Sequence, residues 1–176
     1  MTLHVNDCFV SLAMDATALS EWALAEALVR ETWYDHFAFK AGPRPSGPLP
    51  LDKCFELCPE LVQINNIAEI QHIGVIKMAP GDFYKMHTDT VRGVGINMMV
   101  FDEHSSSLCA FVNRETFETE KLDYQPNTMY LFNTQIPHTI FNFEGYRYML
   151  AVSFLLPKEL LPYRHIKKLI RKINLA

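Results

Sequence analysis

Between Ile67 and Leu156 apolar and polar residues alternate in short runs, the period of half-buried β-strands. Ile70, His72, Gly74, Ile76 and Met78 share one face of the first run, and Gln71, Ile73, Val75 and Lys77 the other. A Pro80-Gly81 turn closes it. Further strands are predicted over 93–101, 107–112, 117–123, 128–133, 137–143 and 146–156. The segments between them (Asp-Glu-His-Ser-Ser, Asn-Arg-Glu, Gln-Pro-Asn, Phe-Glu-Gly) have turn composition. Short antiparallel strands at such regular spacing fit a sandwich or barrel, a jelly roll of the cupin sort.

Outside that span the period lengthens. Residues 3–14 suit a first strand. Asp15 or Thr17 can cap a helix over 18–37, whose imperfect apolar stripe includes Leu19, Trp22, Ala23, Leu28, Val29, Trp33 and Phe37. Four prolines and two glycines between Ala41 and Pro50 exclude a helix or a central strand there. The segment reads as a connector, with a lid over a site as the alternative. Residues 51–66 are ambiguous, helical around Pro59, which suits a first turn. After Pro162 a second helical stripe, Ile166, Leu169, Ile170 and Ile173, opposes Arg164, Lys167, Lys168, Arg171 and Lys172. A docked helix with a solvated basic face explains it; contact with a membrane surface or an acidic partner is the alternative.

The expected fold is thus mainly β with flanking helices (α+β), built on a double-stranded β-helix core. One domain is expected over 1–176: helical support in 1–66, the β-core in 67–156, and a C-terminal helix in 157–176. The 176 residues are enough to bury a full core without staples.

Composition adds limits rather than direction. With 49% hydrophobic and 20% charged residues and a net charge of −4, nothing argues for a nucleic-acid or membrane partner. No apolar run approaches the ~18 residues of a membrane span, and the N-terminus lacks a signal-peptide pattern. A cytoplasmic location is expected. Cys8, Cys54, Cys58 and Cys109 then read as reduced thiols, since no second pair at zinc-site spacing accompanies Cys54 and Cys58.

Candidate chemistry begins at His87-Thr88-Asp89. On a strand, residues two apart share a face, so this imidazole and carboxylate can grip one ion. A second imidazole would complete the two-His, one-carboxylate set typical of non-haem Fe(II) oxygenases, which leaves coordination positions open. His-x-Asp/Glu alone is a weak signal, because seven histidines among 20 carboxylates in 176 residues produce about one such match by accident. Position strengthens it: the pair follows a strand and a Pro-Gly turn, and Pro137-His138 opens a later strand that a double-stranded β-helix can bring alongside. Arg147 stands in an otherwise apolar strand, where a guanidinium is costly unless an acid neutralises it. His72, His104 and His165 have no partner at metal-ligand spacing and read as structural or exposed. Arg92, five past His87, reads as a surface-loop residue, with a contact to substrate or co-substrate as the alternative.

These residues together resemble the Fe(II)- and 2-oxoglutarate-dependent oxygenases, in particular the prolyl-hydroxylase-like branch. Its Pro-Gly-x-x-Tyr-x-x-His-x-Asp run matches Pro80 to Asp89, and its distal His and Arg-Tyr strand match His138 and Arg147-Tyr148. The likeness spans roughly residues 67–156. It implies His87, Asp89 and His138 as iron ligands, Arg147 as the partner of the remote carboxylate of 2-oxoglutarate, and Tyr84 as a pocket residue contacting co-substrate or substrate. Fe(II), 2-oxoglutarate and O2 are the implied cofactor and co-substrates. Three places depart from the common pattern, one being the strand after the first ligands, which carries Asn97, Met98 and Met99 where aromatic residues are often found. Met149 stands where many relatives have Ser, and Ser153 where the prolyl hydroxylases often have Trp and the nucleobase-demethylating branch a second Arg. The resemblance implies a hydroxylase releasing succinate and CO2, acting on a peptidyl residue. The alternatives are a hydroxylase of a free amino acid or other small metabolite, and a non-catalytic cupin-like binding protein.

Overall fold

The computed structural model describes residues 3–36, 44–100 and 106–176. Eleven strands form two antiparallel sheets among the described residues. The smaller sheet is made by β5 (Phe83–His87), β7 (Ser106–Val112), β8 (Thr119–Leu122) and β10 (His138–Glu144), in the order β5-β10-β7-β8. The larger draws β4 (Ile70–Met78), β6 (Gly95–Val100), β9 (Tyr130–Phe132) and β11 (Arg147–Phe154) from the predicted β region. Three short strands from the first third of the chain extend it: β1 (Phe9–Ser11), β2 (Tyr34–His36) and β3 (Arg44–Leu49). Its order is β1-β9-β6-β11-β4-β3-β2. Every strand expected from Ile67 onward is present, its ends within two residues of those expected among the described residues.

Among the described residues five helices accompany the sheets: α1 (Val5–Cys8), α2 (Thr17–Val29), α3 (Leu51–Leu57), α4 (Glu60–Ile67) and α5 (Tyr163–Lys172). Period two on β11 assigns the layers. Tyr148, Leu150, Val152 and Phe154 join Leu19, Ala23, Leu61, Ile64, Ile166 and Ile170 in the helix-side core. Met149 and Ala151, on the opposite face, meet Ile76 of β4 in a separate small cluster. Arg147 shares that second face. A third cluster, around Phe111, Phe132 and Ile140, fills the space between the sheets.

Three expectations need correction. The helix placed over 18–37 ends at Val29, and Tyr34–His36 pairs with β3 as a strand. The first strand is confined to Phe9–Ser11, preceded by the single turn α1. The Pro-rich connector is itself a strand from Arg44, its residues 41–43 lying outside the described ones. Proline is tolerated because Pro48 turns its ring nitrogen away from β4. Its carbonyl accepts from Arg30 Nη2 at 2.9 Å, and in an antiparallel ladder the N and O of one residue face the same neighbour. The first 66 residues therefore supply edge strands as well as helices.

Candidate metal centre

The site forms where the two sheets open. β5 ends on His87 and β10 begins on His138, and these two residues are direct antiparallel partners. The register is held at the other end of the pair. Gly81, at φ +80°, makes the turn before β5, and its N–H donates to the Asn142 carbonyl at 2.8 Å. The Asn142 N–H returns a bond to Asp82 O at 2.8 Å. The Asn142 side-chain amide reaches Ala79 O at 2.9 Å and Gly145 O at 2.8 Å. Between Ile140 and His138 the register then shifts by one residue, and that irregularity brings His138 opposite His87 rather than Met86.

His87, Asp89 and His138 come together, each offering one ligand atom within 4.8 Å of the others. The imidazole centroids are 4.4 Å apart. Each ring is oriented by a backbone carbonyl: Nδ1 of His87 lies 2.7 Å from Lys85 O, and Nδ1 of His138 lies 2.9 Å from Ile136 O. A carbonyl only accepts, so the proton sits on Nδ1 of each ring, which turns Nε2 toward the third ligand; Nε2 of His87 lies 3.5 Å from Asp89 Oδ1. Burial pushes the His138 imidazole down to about 4, so it is neutral near pH 7. His87 is raised by its contact with Asp89. Burial opposes ionisation of Asp89, but the His87 contact and the Arg92 charge outweigh it and hold the carboxyl below its usual range.

What the sequence reading missed is that Arg92 pairs with a candidate ligand, Asp89. Its Nε and Nη2 both donate to Asp89 Oδ2, at 2.8 and 2.7 Å, which leaves Oδ1 facing the imidazoles. The backbone around it is fixed in turn. Asp89 N–H donates to Thr134 O at 2.9 Å, Thr134 Oγ1 to Arg92 O at 2.5 Å, and Gln135 Nε2 to Asp89 O and Arg92 O at 3.0 and 2.6 Å. The available signal was the three-residue spacing of Asp89 and Arg92. In a loop, that spacing says nothing until the loop's path is known.

Arg147 is wholly buried at the first position of β11. No carboxylate pairs with it among the described residues. Nη1 and Nη2 donate to the thioethers of Met78 and Met149 at 3.5 and 3.3 Å, Nε has no partner, and the Tyr124 ring lies 5.7 Å away. Tyr84, on β5, has its ring 6.0 Å from His87 and lines the small cavity at the triad with Phe132, Ile140 and Met149. A second cavity of about 540 Å³ lies across Arg92, lined by His72, Val91, Ser153, Leu155 and Lys158 among others. His72 is therefore a cavity residue, His165 is exposed, and His104 falls outside the described residues.

No protein-family model matches the chain, nor does any curated protein sequence. Solved structures do. A prolyl-4-hydroxylase of Pseudomonas putida superposes with a TM-score of 0.61 at 13% identity, covering 83% of this chain and 91% of that one. The fold is that of the Fe(II)- and 2-oxoglutarate-dependent oxygenases. A prolyl hydroxylase of Trichoplax adhaerens, solved with a hypoxia-inducible-factor peptide fragment, gives 0.63 at 13% identity over 84% of this chain and 83% of that one. A non-haem α-ketoglutarate-dependent epimerase from nogalamycin biosynthesis gives 0.59 at 12% over 89% and 83%. The jelly-roll core is thus shared between enzymes of different reaction type, and residues rather than fold must argue the chemistry.

Proposed function

We propose that this chain is an Fe(II)- and 2-oxoglutarate-dependent hydroxylase of an aliphatic C–H bond, working as one oxygenase domain. His87, Asp89 and His138 hold the iron, and Arg147 binds the remote carboxylate of 2-oxoglutarate. One observation carries the reading: a two-imidazole, one-carboxylate set shares a fold interior with a fully buried guanidinium that lacks a carboxylate. The donor set suits Fe(II) with positions left open. The unpaired guanidinium suits an acid that arrives as a ligand.

When bound, Fe(II), 2-oxoglutarate and O2 supply the oxidation of the substrate C–H, with release of succinate and CO2. The chain's own groups do the rest. Lys85 O and Ile136 O fix the imidazole tautomers. Arg92 keeps Asp89 ionised and aims one oxygen inward. Ile76, Phe132, Ile140 and Met149 exclude water from the triad. Tyr84 contacts co-substrate or substrate from the same wall.

A peptidyl residue, proline first, is the substrate class supported by the likeness to prolyl hydroxylases. A free amino acid or other small metabolite is the second reading, favoured by the 540 Å³ cavity beside Arg92, whose size suits a compact molecule. The cytoplasm is the proposed compartment, where four buried free thiols stay reduced. No helix among the described residues is long and apolar enough to cross a membrane.

The test is 2-oxoglutarate turnover to succinate with added Fe(II), across proline-containing peptides and free amino acids. Wild type is expected to turn over, Asp89→Ala and His138→Ala to lose turnover, and Arg147→Ala to weaken 2-oxoglutarate binding by ~2–4 kcal/mol. Undiminished turnover in Asp89→Ala removes the triad assignment. Failure to bind Fe(II) or Mn(II) stoichiometrically leaves the cupin-like binding protein, in which His87 and Asp89 are incidental.

A further inference from the structure

The cavity at the triad is too small for the acid it is proposed to receive. It measures about 50 Å³, room for a few waters, whereas small-ligand sites run to ~300 Å³ and more. Arg147 does not line it; Met149 does, with its sulfur on the guanidinium. The route from the triad to Arg147 therefore runs through Met149.

The walls differ in how easily they yield. Ile76 and Ile140 are β-branched and stiff at χ1. Phe132 is packed by Phe111 at 4.6 Å and by His138 at 5.0 Å between ring centroids. Met149 is unbranched, with three rotatable bonds. It belongs to a cluster of only three buried residues, apart from both larger cores. Its sulfur contacts Arg147 Nη2 at 3.3 Å and the Tyr124 hydroxyl at 3.9 Å. A thioether is a weak acceptor, so it returns little of the cost of burying the charge.

We propose that Met149 is the gate of the acid site: its thioether occupies Arg147 until a dicarboxylate displaces it and takes over the guanidinium. The proposal rests on Arg147 being the acid clamp. Its consequence is a binding penalty set by residue 149, because the competent state is populated only when the methionine has swung aside. A shorter side chain removes that penalty, and a β-branched one raises it.

Calorimetric titration of 2-oxoglutarate into the Zn(II)-loaded protein tests this, since zinc takes the same ligands without turnover. Met149→Ala is expected to bind about tenfold tighter than wild type, and Met149→Ile about tenfold weaker. Arg147→Ala is expected to weaken binding by about 30- to 1000-fold, beyond the reach of the titration. Equal affinities in wild type, Met149→Ala and Met149→Ile, with binding still lost in Arg147→Ala, overturn the gate and leave the clamp standing. Binding that survives Arg147→Ala, or is absent from wild type, overturns the clamp and the gate with it. Should Met149→Ala not fold, methyl NMR of ¹³C-methionine-labelled wild type decides. The Met149 resonance, assigned by its loss in Met149→Leu, is expected to move on saturation with 2-oxoglutarate; an unmoved resonance sinks the gate.

Discussion

Arg147 is held entirely out of water against two sulfurs and a phenol ring. A charge in that setting works against folding, and replacing it with an apolar side chain of similar length is often neutral or stabilising by ~1–4 kcal/mol. Arg147→Met is therefore expected to leave the metal-free protein melting at an equal or higher temperature while losing 2-oxoglutarate affinity. A large fall in melting temperature would mean that the guanidinium has a structural partner. At Arg92 two effects oppose each other. Removing a cation near a metal site favours the metal, but it also frees a buried carboxylate to turn and take up a proton. Outer hydrogen bonds of this kind are worth ~10–100-fold in metal affinity, so orientation should win. Arg92→Ala should weaken Mn(II) binding by that order, and Arg92→Lys should restore only part of it, lacking the two-pronged fork. Tighter Mn(II) binding in Arg92→Ala would show repulsion to dominate. His87, His138 and Arg147 stand at strand ends, where alternation put them. Asp89 lies two residues past the end of β5, so its place beside His87 comes from the loop and not from the shared strand face the sequence suggested. The pairing of Arg92 was not readable in the sequence, because a loop residue's partner depends on a path that local composition does not encode.

Among the elements, alternation located the strands from Ile70 to Phe154 because one face of each is buried, and burial writes period two into the sequence. The penultimate strand β3 was missed for the converse reason. Pro45 is paired only with β2 and Pro48 only with β4, so prolines that would break a strand paired on both sides survive there. The end of α2 at Val29 was equally hidden, since apolar residues continue past it at nearly helical spacing. After β11 the chain crosses back over Gly93: a Cβ there would stand 2.5 Å from Leu161 O and 2.8 Å from Lys158 O. Both neighbours are backbone and cannot swing aside. Gly93→Ala is expected to cost ~1–3 kcal/mol, the usual price of overpacking, read as a lower urea midpoint at unchanged slope. Wild-type stability in that variant would show that the 155–161 segment shifts freely. The 540 Å³ cavity, walled by part of that segment, should change shape with it.

For the whole molecule, all four cysteines are buried, and burial pushes each thiol up to about 12. The folded chain then holds protons that the unfolded chain releases from about 9 upward. The stability these thiols contribute is full below pH 9 and is lost as pH rises from there toward 12. At pH 8 a thiol reagent should label none of them in the native protein and all four after denaturation; rapid native labelling would show a thiol reachable through local opening. Local periodicity and residue chemistry were enough to imply a strand-rich core, a terminal helix with one apolar face, an ion-gripping His-Thr-Asp and a misplaced-looking arginine, since each is a property of neighbours along the chain. Which second imidazole meets the first, which cation steadies the carboxylate, and that a methionine stands between the triad and the arginine depended on how β5, β10 and β11 are laid side by side. Those contacts join residues far apart in the polypeptide, and their distances exist only once the sheets have paired.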